Sequence, residues 1–193
     1  MNDEELRARL VDLPKDAVIL TSDVTPSVNP IISSAEKVME SYQNANKWLD
    51  SIKEYVLMEL GCLFFSDYIH KLAHTMPVRF DKFGDILHTA DIVVPYPATS
   101  AIANMPTDIP STIDQIYSIV SAIRNSLLEF IKATQDTEGH ALACSAEELL
   151  IDISKEYTNL YRMNRAYNNC NSSIIDFDKW VLEYLKYLDT LID

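Results

Sequence analysis

The sequence predicts an all-α protein: a four-helix bundle with a long crossover between its second and third helices, an N-terminal arm and an extra C-terminal helix. Three observations predict it. Only three glycines occur in 193 residues, too few for a turn-rich sheet fold or a Gly-loop nucleotide fold. Apolar residues, 48% of the chain, recur at helical spacing over most of its length. Seven of the eight prolines fall in two stretches, 11–34 and 95–110, which leaves long segments free to be helical.

Residues 1–34 read as the arm, with one or two helical turns over 1–10. An extended stretch follows, carrying Pro14, Pro26 and Pro30, with a short strand expected at Ala17–Thr21. Residues 35–168 read as the bundle. Ser33 or Ser34 begins the first helix, and Glu36 follows Ser33 at capping-box spacing. The pattern runs to about Thr75, with a break allowed near Asn44–Asn46. Met76-Pro77 is the expected stop, because the residue before proline is pushed out of the α region. A second helix runs from Val78 to Val94 and ends at Pro95 and Pro97; the crossover has room for a short helix at Thr99–Met105. Ser111, supported by Asp114, caps a third helix to Thr134, with the stripe Ile116, Val120, Ile123, Leu127 and Phe130. The loop Gln135–His140 contains Gly139. The fourth helix, Ala141–Tyr167, turns Leu149, Ile153, Leu160 and Met163 inward. Residues 169–193 follow a polar break at Asn168–Ser173 and form an amphipathic helix, Ile174–Leu191, carrying Trp180, Leu182, Leu185, Leu188 and Leu191.

Charge narrows the function. Acids number 29 and bases 16, a net −13, so direct nucleic-acid binding and polybasic membrane binding are not expected. Cys62, Cys144 and Cys170 are far apart, odd in number and without a CxxC spacing. A disulfide framework or zinc ribbon is not expected, and a reducing, cytoplasmic setting is. The opening MNDEELRARL has no apolar region of the kind a signal peptide needs. The longest apolar stretch, Tyr55–Phe65, is broken by Glu59 and is too short to cross a membrane.

The residues that carry chemistry lie around Met76-Pro77. One face of the first helix holds Leu49, Ile52, Val56 and Leu63 with Glu59, Asp67, His70 and His74; the other holds Leu57, Met58, Phe64, Phe65, Tyr68 and Leu72. The second helix sets Phe80, Phe83, Leu87 and Val94 opposite Asp81, Asp85 and His88. Such two-sided helices are buried on both sides, by a second chain or by a covering arm. A tight turn at Met76-Pro77 makes the two helices antiparallel neighbours, facing His74 with Asp81, His70 with Asp85 and Asp67 with His88. Each rung is one imidazole and one carboxylate. Together these donors bind Fe(II), Mn(II) or Zn(II), and each imidazole needs an acceptor for its other ring nitrogen. Without metal the same rungs are ordinary interhelical hydrogen bonds. The candidate metal ligands are therefore His70, His74, Asp81, Asp85 and His88.

Glu59 reads as a buried acid bonded to a core Tyr or Asn. Glu148, Asp152 and Glu156 on the fourth helix read as a solvated face. No Glu-x-x-His occurs, and Asp85-x-x-His88 is the nearest match. No Gly-rich phosphate loop, Gly-x-Ser-x-Gly or local Cys/His dyad occurs either, and no catalytic residue is assigned.

The run MELGCLFFSDYIHKLAH, the following RFDKFGDILHTAD and the segment from IPSTIDQIY to DISKEY give the chain a resemblance over about residues 45–168. It resembles ferritin-like proteins, and among them the Dps-type mini-ferritins that protect DNA during starvation. His74 matches the metal-binding His that ends that family's first helix. Asp85 and His88 fall where a His and an acid follow, with the two residue types in reversed order. The resemblance implies an oxidation site between two subunits, built from these helix faces. Thr75 stands where the family usually has Trp. Pro95 and Pro97 cut the second helix where a later acid falls, while Asp91 remains.

Two functions follow. One is iron binding, oxidation and storage in a homo-oligomeric assembly, with the acidic surface drawing cations inward. The alternative is a non-catalytic structural or assembly protein whose ferritin-like bundle has lost its metal site.

Overall fold

A computed structural model describes residues 29–102, 104–135 and 140–190. The expected arm up to residue 28, with its strand at Ala17–Thr21, lies outside them, as do Gly139 and Leu191. Among the described residues five helices form: α1 (Pro30–Met58), α2 (Leu63–Thr89), α3 (Ile109–Thr134), α4 (His140–Asn169) and α5 (Ile174–Asp189).

The first hairpin turns at a different place from the one the sequence suggested. α1 ends at Met58, and α2 runs through Met76-Pro77 without a break. The reversal is made by Glu59, Leu60, Gly61 and Cys62. Gly61 supplies a φ of +67°, and the Cys62 N–H donates to the Val56 carbonyl at 3.2 Å. Pro77 forfeits one helical hydrogen bond, a local cost of about 3 kcal/mol in a helix interior. Fully buried Met76 and Phe83 hold the helix on the core from both sides of it. Packing outweighs local propensity, as it does for most protein helices.

Other boundaries shift for capping reasons. α1 starts at Pro30 rather than Ser33, because Asn29 accepts from the Ile31 N–H at 3.0 Å and proline suits the first helical position. Asp108, not Ser111, caps α3. Its carboxylate accepts from the Ser111 N–H at 2.8 Å while the Ser111 hydroxyl receives the Asp108 N–H. α2 stops at Thr89, short of Val94. Asp91 takes a left-handed φ of 55°, its N–H reaches the His88 carbonyl, and the Ile92 N–H reaches the Leu87 carbonyl. These two bonds make a Schellman cap, with half-buried Ile92 folded back on the core. No helix forms at Thr99–Met105 among the described residues. The crossover is instead tied to α1: Asn44 Oδ1 accepts from the Ser100 N–H at 2.8 Å, and Trp48 Nε1 donates to the Ser100 carbonyl at 3.1 Å.

α1 and α2 form one antiparallel pair, and α3 and α4 another. α1 lies against α3, with Lys37 near the start of one bonded to Glu129 near the end of the other at 2.7 Å. The expected α3 and α4 stripes are all buried, and they meet Leu49, Ile52, Phe65, Ile69 and Phe83 in one core. α2 and α4 touch least of the four neighbouring bundle pairs, because α5 packs on both. The buried face of α5 is Phe177, Val181, Tyr184 and Leu185. Of the expected inward set only Leu185 is fully part of it, with Trp180, Leu182 and Leu188 half-buried.

Candidate functional site

Moving the turn to Gly61 puts all five candidate ligands on one helix. His70, His74, Asp81, Asp85 and His88 all lie on α2, so the rungs expected across a hairpin do not form within the chain. At 100° per residue these five and Asp67 fall on one side of α2. Phe65, Ile69, Leu72, Met76, Phe83 and Leu87 occupy the other side and are buried. The stripe faces away from the bundle: His74, Asp81, Asp85 and His88 are exposed and His70 is half-buried.

The stripe has two halves. His70 and His74, one turn apart, stand edge to face with ring centroids 4.3 Å apart. His70 Nδ1 is closed off from solvent and makes no hydrogen bond, which leaves Nε2 as the ring atom for any ligand. Asp81, Asp85 and His88 follow beyond Pro77 and Val78. His74 and Asp81 are seven residues apart, roughly 10 Å along the axis, too far to share an ion. Among the described residues no group of three or more His, Cys, Asp or Glu gathers closely enough within the chain to hold a metal.

The interior of the bundle is the other place where such an architecture holds metal. Di-iron proteins of this architecture place Glu and Glu-x-x-His side chains inward from all four helices. Here the buried positions of α1 and α3 are mostly apolar, with Tyr42, Ser34, Asn44, Thr112, Ser126 and Thr134 among them and no carboxylate or imidazole. One acid approaches from α4, Glu156, and it is already engaged. It accepts from Arg79 Nη2 at 3.3 Å, the Tyr68 hydroxyl at 3.2 Å and Asn159 Nδ2 at 3.2 Å. Arg79 and Glu156 are only 12% and 17% exposed. A guanidinium thus already neutralises this carboxylate, and these residues do not fit an internal di-iron centre. Burial, then the Glu156 charge, pushes the Tyr68 phenol well above its usual range. Burial does the same to Tyr42, whose hydroxyl is unpartnered. The network continues from Asn159 to the Tyr184 hydroxyl (2.7 Å) and on to Arg162 (3.2 Å). Its members Tyr68, Glu156, Asn159 and Arg162 line a cavity of about 570 Å³ between α2, α4 and α5.

Sequence reasoning placed Glu156 on a solvated face and gave Arg79 and Tyr68 no role. The legible signal was Glu156 at core spacing with Ile153 and Leu160, three and four residues away. Glu59, expected to be buried, is an exposed C-cap of α1.

No helix among the described residues is long and apolar enough to cross a membrane. No protein-family model matches the chain, and no curated protein does. Its fold is similar to that of the bacterioferritin BfrA from M. tuberculosis, with a TM-score of 0.68 at 9% identity, over 78% of this chain and 91% of that one. At that identity the likeness speaks for architecture alone: the chain adopts a ferritin-like four-helix bundle.

Proposed function

We propose that the chain is a metal-binding, ferritin-like protein that takes up iron as a homo-oligomer, in the manner its resemblance to Dps-type mini-ferritins implies. One observation carries this reading. The ligand-type side chains His70, His74, Asp81, Asp85 and His88 all lie on the outward side of α2, while Glu156, turned inward from α4, is held by Arg79. Imidazole nitrogen and carboxylate oxygen together suit Fe(II), and a net charge of −13 concentrates cations near the surface. Anaerobic Fe(II) titration followed by oxidant tests it. Saturable binding is expected, with loss of binding and of oxidation rate in His70→Ala/His74→Ala. Wild-type protein that binds no iron, or a double variant that behaves like wild type, ends the reading.

The Arg79–Glu156 pair favours a second reading, an assembly protein without metal chemistry, since the acid that reaches inward from α4 is held by an arginine. Elemental analysis of the protein as isolated separates the two. A metal-free oligomer indifferent to alanine along the α2 stripe supports the second.

A further inference from the structure

The cavity between α2, α4 and α5 lies on a different side of α2 from the His and Asp stripe. It runs from Tyr68 to Thr75 on α2 and from Lys155 to Arg162 on α4, roughly 10 Å along each helix. Its volume of about 570 Å³ falls among cavities that hold small organic ligands, roughly 300–1,000 Å³. Buried Leu72 and Leu185 and half-buried Leu188 wall it. The polar groups of its inner wall are spent on one another: Glu156 accepts from Tyr68, Asn159 and Arg79. They offer a ligand few hydrogen bonds, so the inner end suits an apolar group.

The mouth differs. Three exposed cations line it, Lys71, Lys155 and Arg162, in a chain of net charge −13. Lys155 is bonded to Asp152 at 2.9 Å, and Lys71 lies 3.7 Å from Asp67 and 3.8 Å from Asp189. Arg162 pairs with no carboxylate of the described residues. Its Nη1 donates to the Tyr184 hydroxyl at 3.2 Å, which leaves Nε and Nη2, the edge that meets both oxygens of a carboxylate. Tyr184 is itself bonded to Asn159 and stacked on Trp180 with ring centroids 4.9 Å apart. The guanidinium is thereby held in place before any ligand arrives, which lowers the entropy lost on binding. One uncommitted positive charge beside apolar walls matches one negative charge on an apolar body. A doubly charged phosphate finds Asp189 there and no second free cation, and a cationic ligand is repelled by Arg162.

We infer that this cavity binds a medium-chain carboxylate, with its head group on Arg162 and its tail along Leu72, Leu185 and Leu188. The inference rests on neither the α2 stripe nor iron.

Calorimetric titration of the full-length chain with decanoate, kept below its micelle concentration, tests it. Saturable binding at one site per chain is expected. Decan-1-ol and decylammonium carry the same tail and should bind at least roughly tenfold more weakly, for want of the charge-assisted pair. Octanoate should also bind roughly tenfold more weakly, since each buried methylene is worth about fourfold in affinity. Arg162→Met should weaken decanoate by roughly tenfold or more and leave decan-1-ol no weaker, a split that a damaged fold would not give. Thr158→Trp, at an exposed position on the rim, should block decanoate at an unchanged melting temperature. A full-length chain that binds no decanoate, decylammonium that binds as tightly, or decanoate binding that ignores either variant overturns the inference.

Discussion

Arg79 and Glu156 show how one ion pair decides what a bundle interior can hold. With both groups largely out of water, the pair gains little net stability over apolar substitutes, but removing one partner strands the other. Arg79→Met is therefore expected to destabilise the fold by about 3 kcal/mol, and Arg79→Met/Glu156→Met by much less, both read from the midpoint of urea unfolding. Cys62 gives a pH-dependent counterpart. Burial, and then the charge of Asp178, pushes its thiol from the ordinary 9.0 to about 11. Between those values the folded chain keeps a proton that the unfolded chain releases. The stability it contributes is thus full below pH 9 and is lost as pH rises towards 11. Denaturant midpoints should fall over that window for wild type, and less steeply for Cys62→Ala. Alkylation in native buffer should mark exposed Cys144 well before Cys62.

Among the elements, the α1–α2 turn depends on a single backbone conformation. A Cβ at Gly61 meets nothing within 4 Å, so the cost of Gly61→Ala is that of φ +67° alone, about 1 kcal/mol by thermal unfolding. Asp91 poses the converse case. It occupies the left-handed position of the α2 cap, where glycine is at ease, so Asp91→Gly should raise the melting temperature. Both positions explain what the sequence made legible. The buried stripes of α3 and α4 were plain, because apolar spacing persists unbroken through both. The hairpin was not. Helical periodicity runs on both sides of Gly61 and of Pro77 alike, and the stronger local breaker is proline. Core packing of Met76 and Phe83 settled the choice, and packing across helices is not written in local spacing. The symmetric order of His and Asp about Pro77 added to the misplacement. The residue types of the stripe were legible in the sequence, and their place together on one helix was not.

At the scale of the whole molecule, α5 does more than close the end of the bundle. α2 begins at Cys62 without a side-chain cap of its own. Its exposed amides are met instead from α5, where Asp178 accepts from the Phe65 N–H at 2.8 Å. A carboxylate there also complements the positive end of the α2 dipole. Phe177 stacks edge to face on both Phe65 (5.3 Å) and Tyr167 (5.4 Å), so one α5 residue ties the start of α2 to the end of α4. The helix that carries the candidate ligands is thereby anchored by a segment more than a hundred residues further along the chain. Asp178→Ala should remove a cap and cost about 1 kcal/mol in unfolding midpoint. Asp178→Asn keeps an acceptor and removes only the charge. It should leave stability nearly unchanged and lower the Cys62 thiol below about 11, though not to 9.0, because burial is the larger cause. The rate of Cys62 alkylation against pH reads that shift directly. If neither variant alters the alkylation profile or the midpoint, then α5 is not seated on α2 in solution.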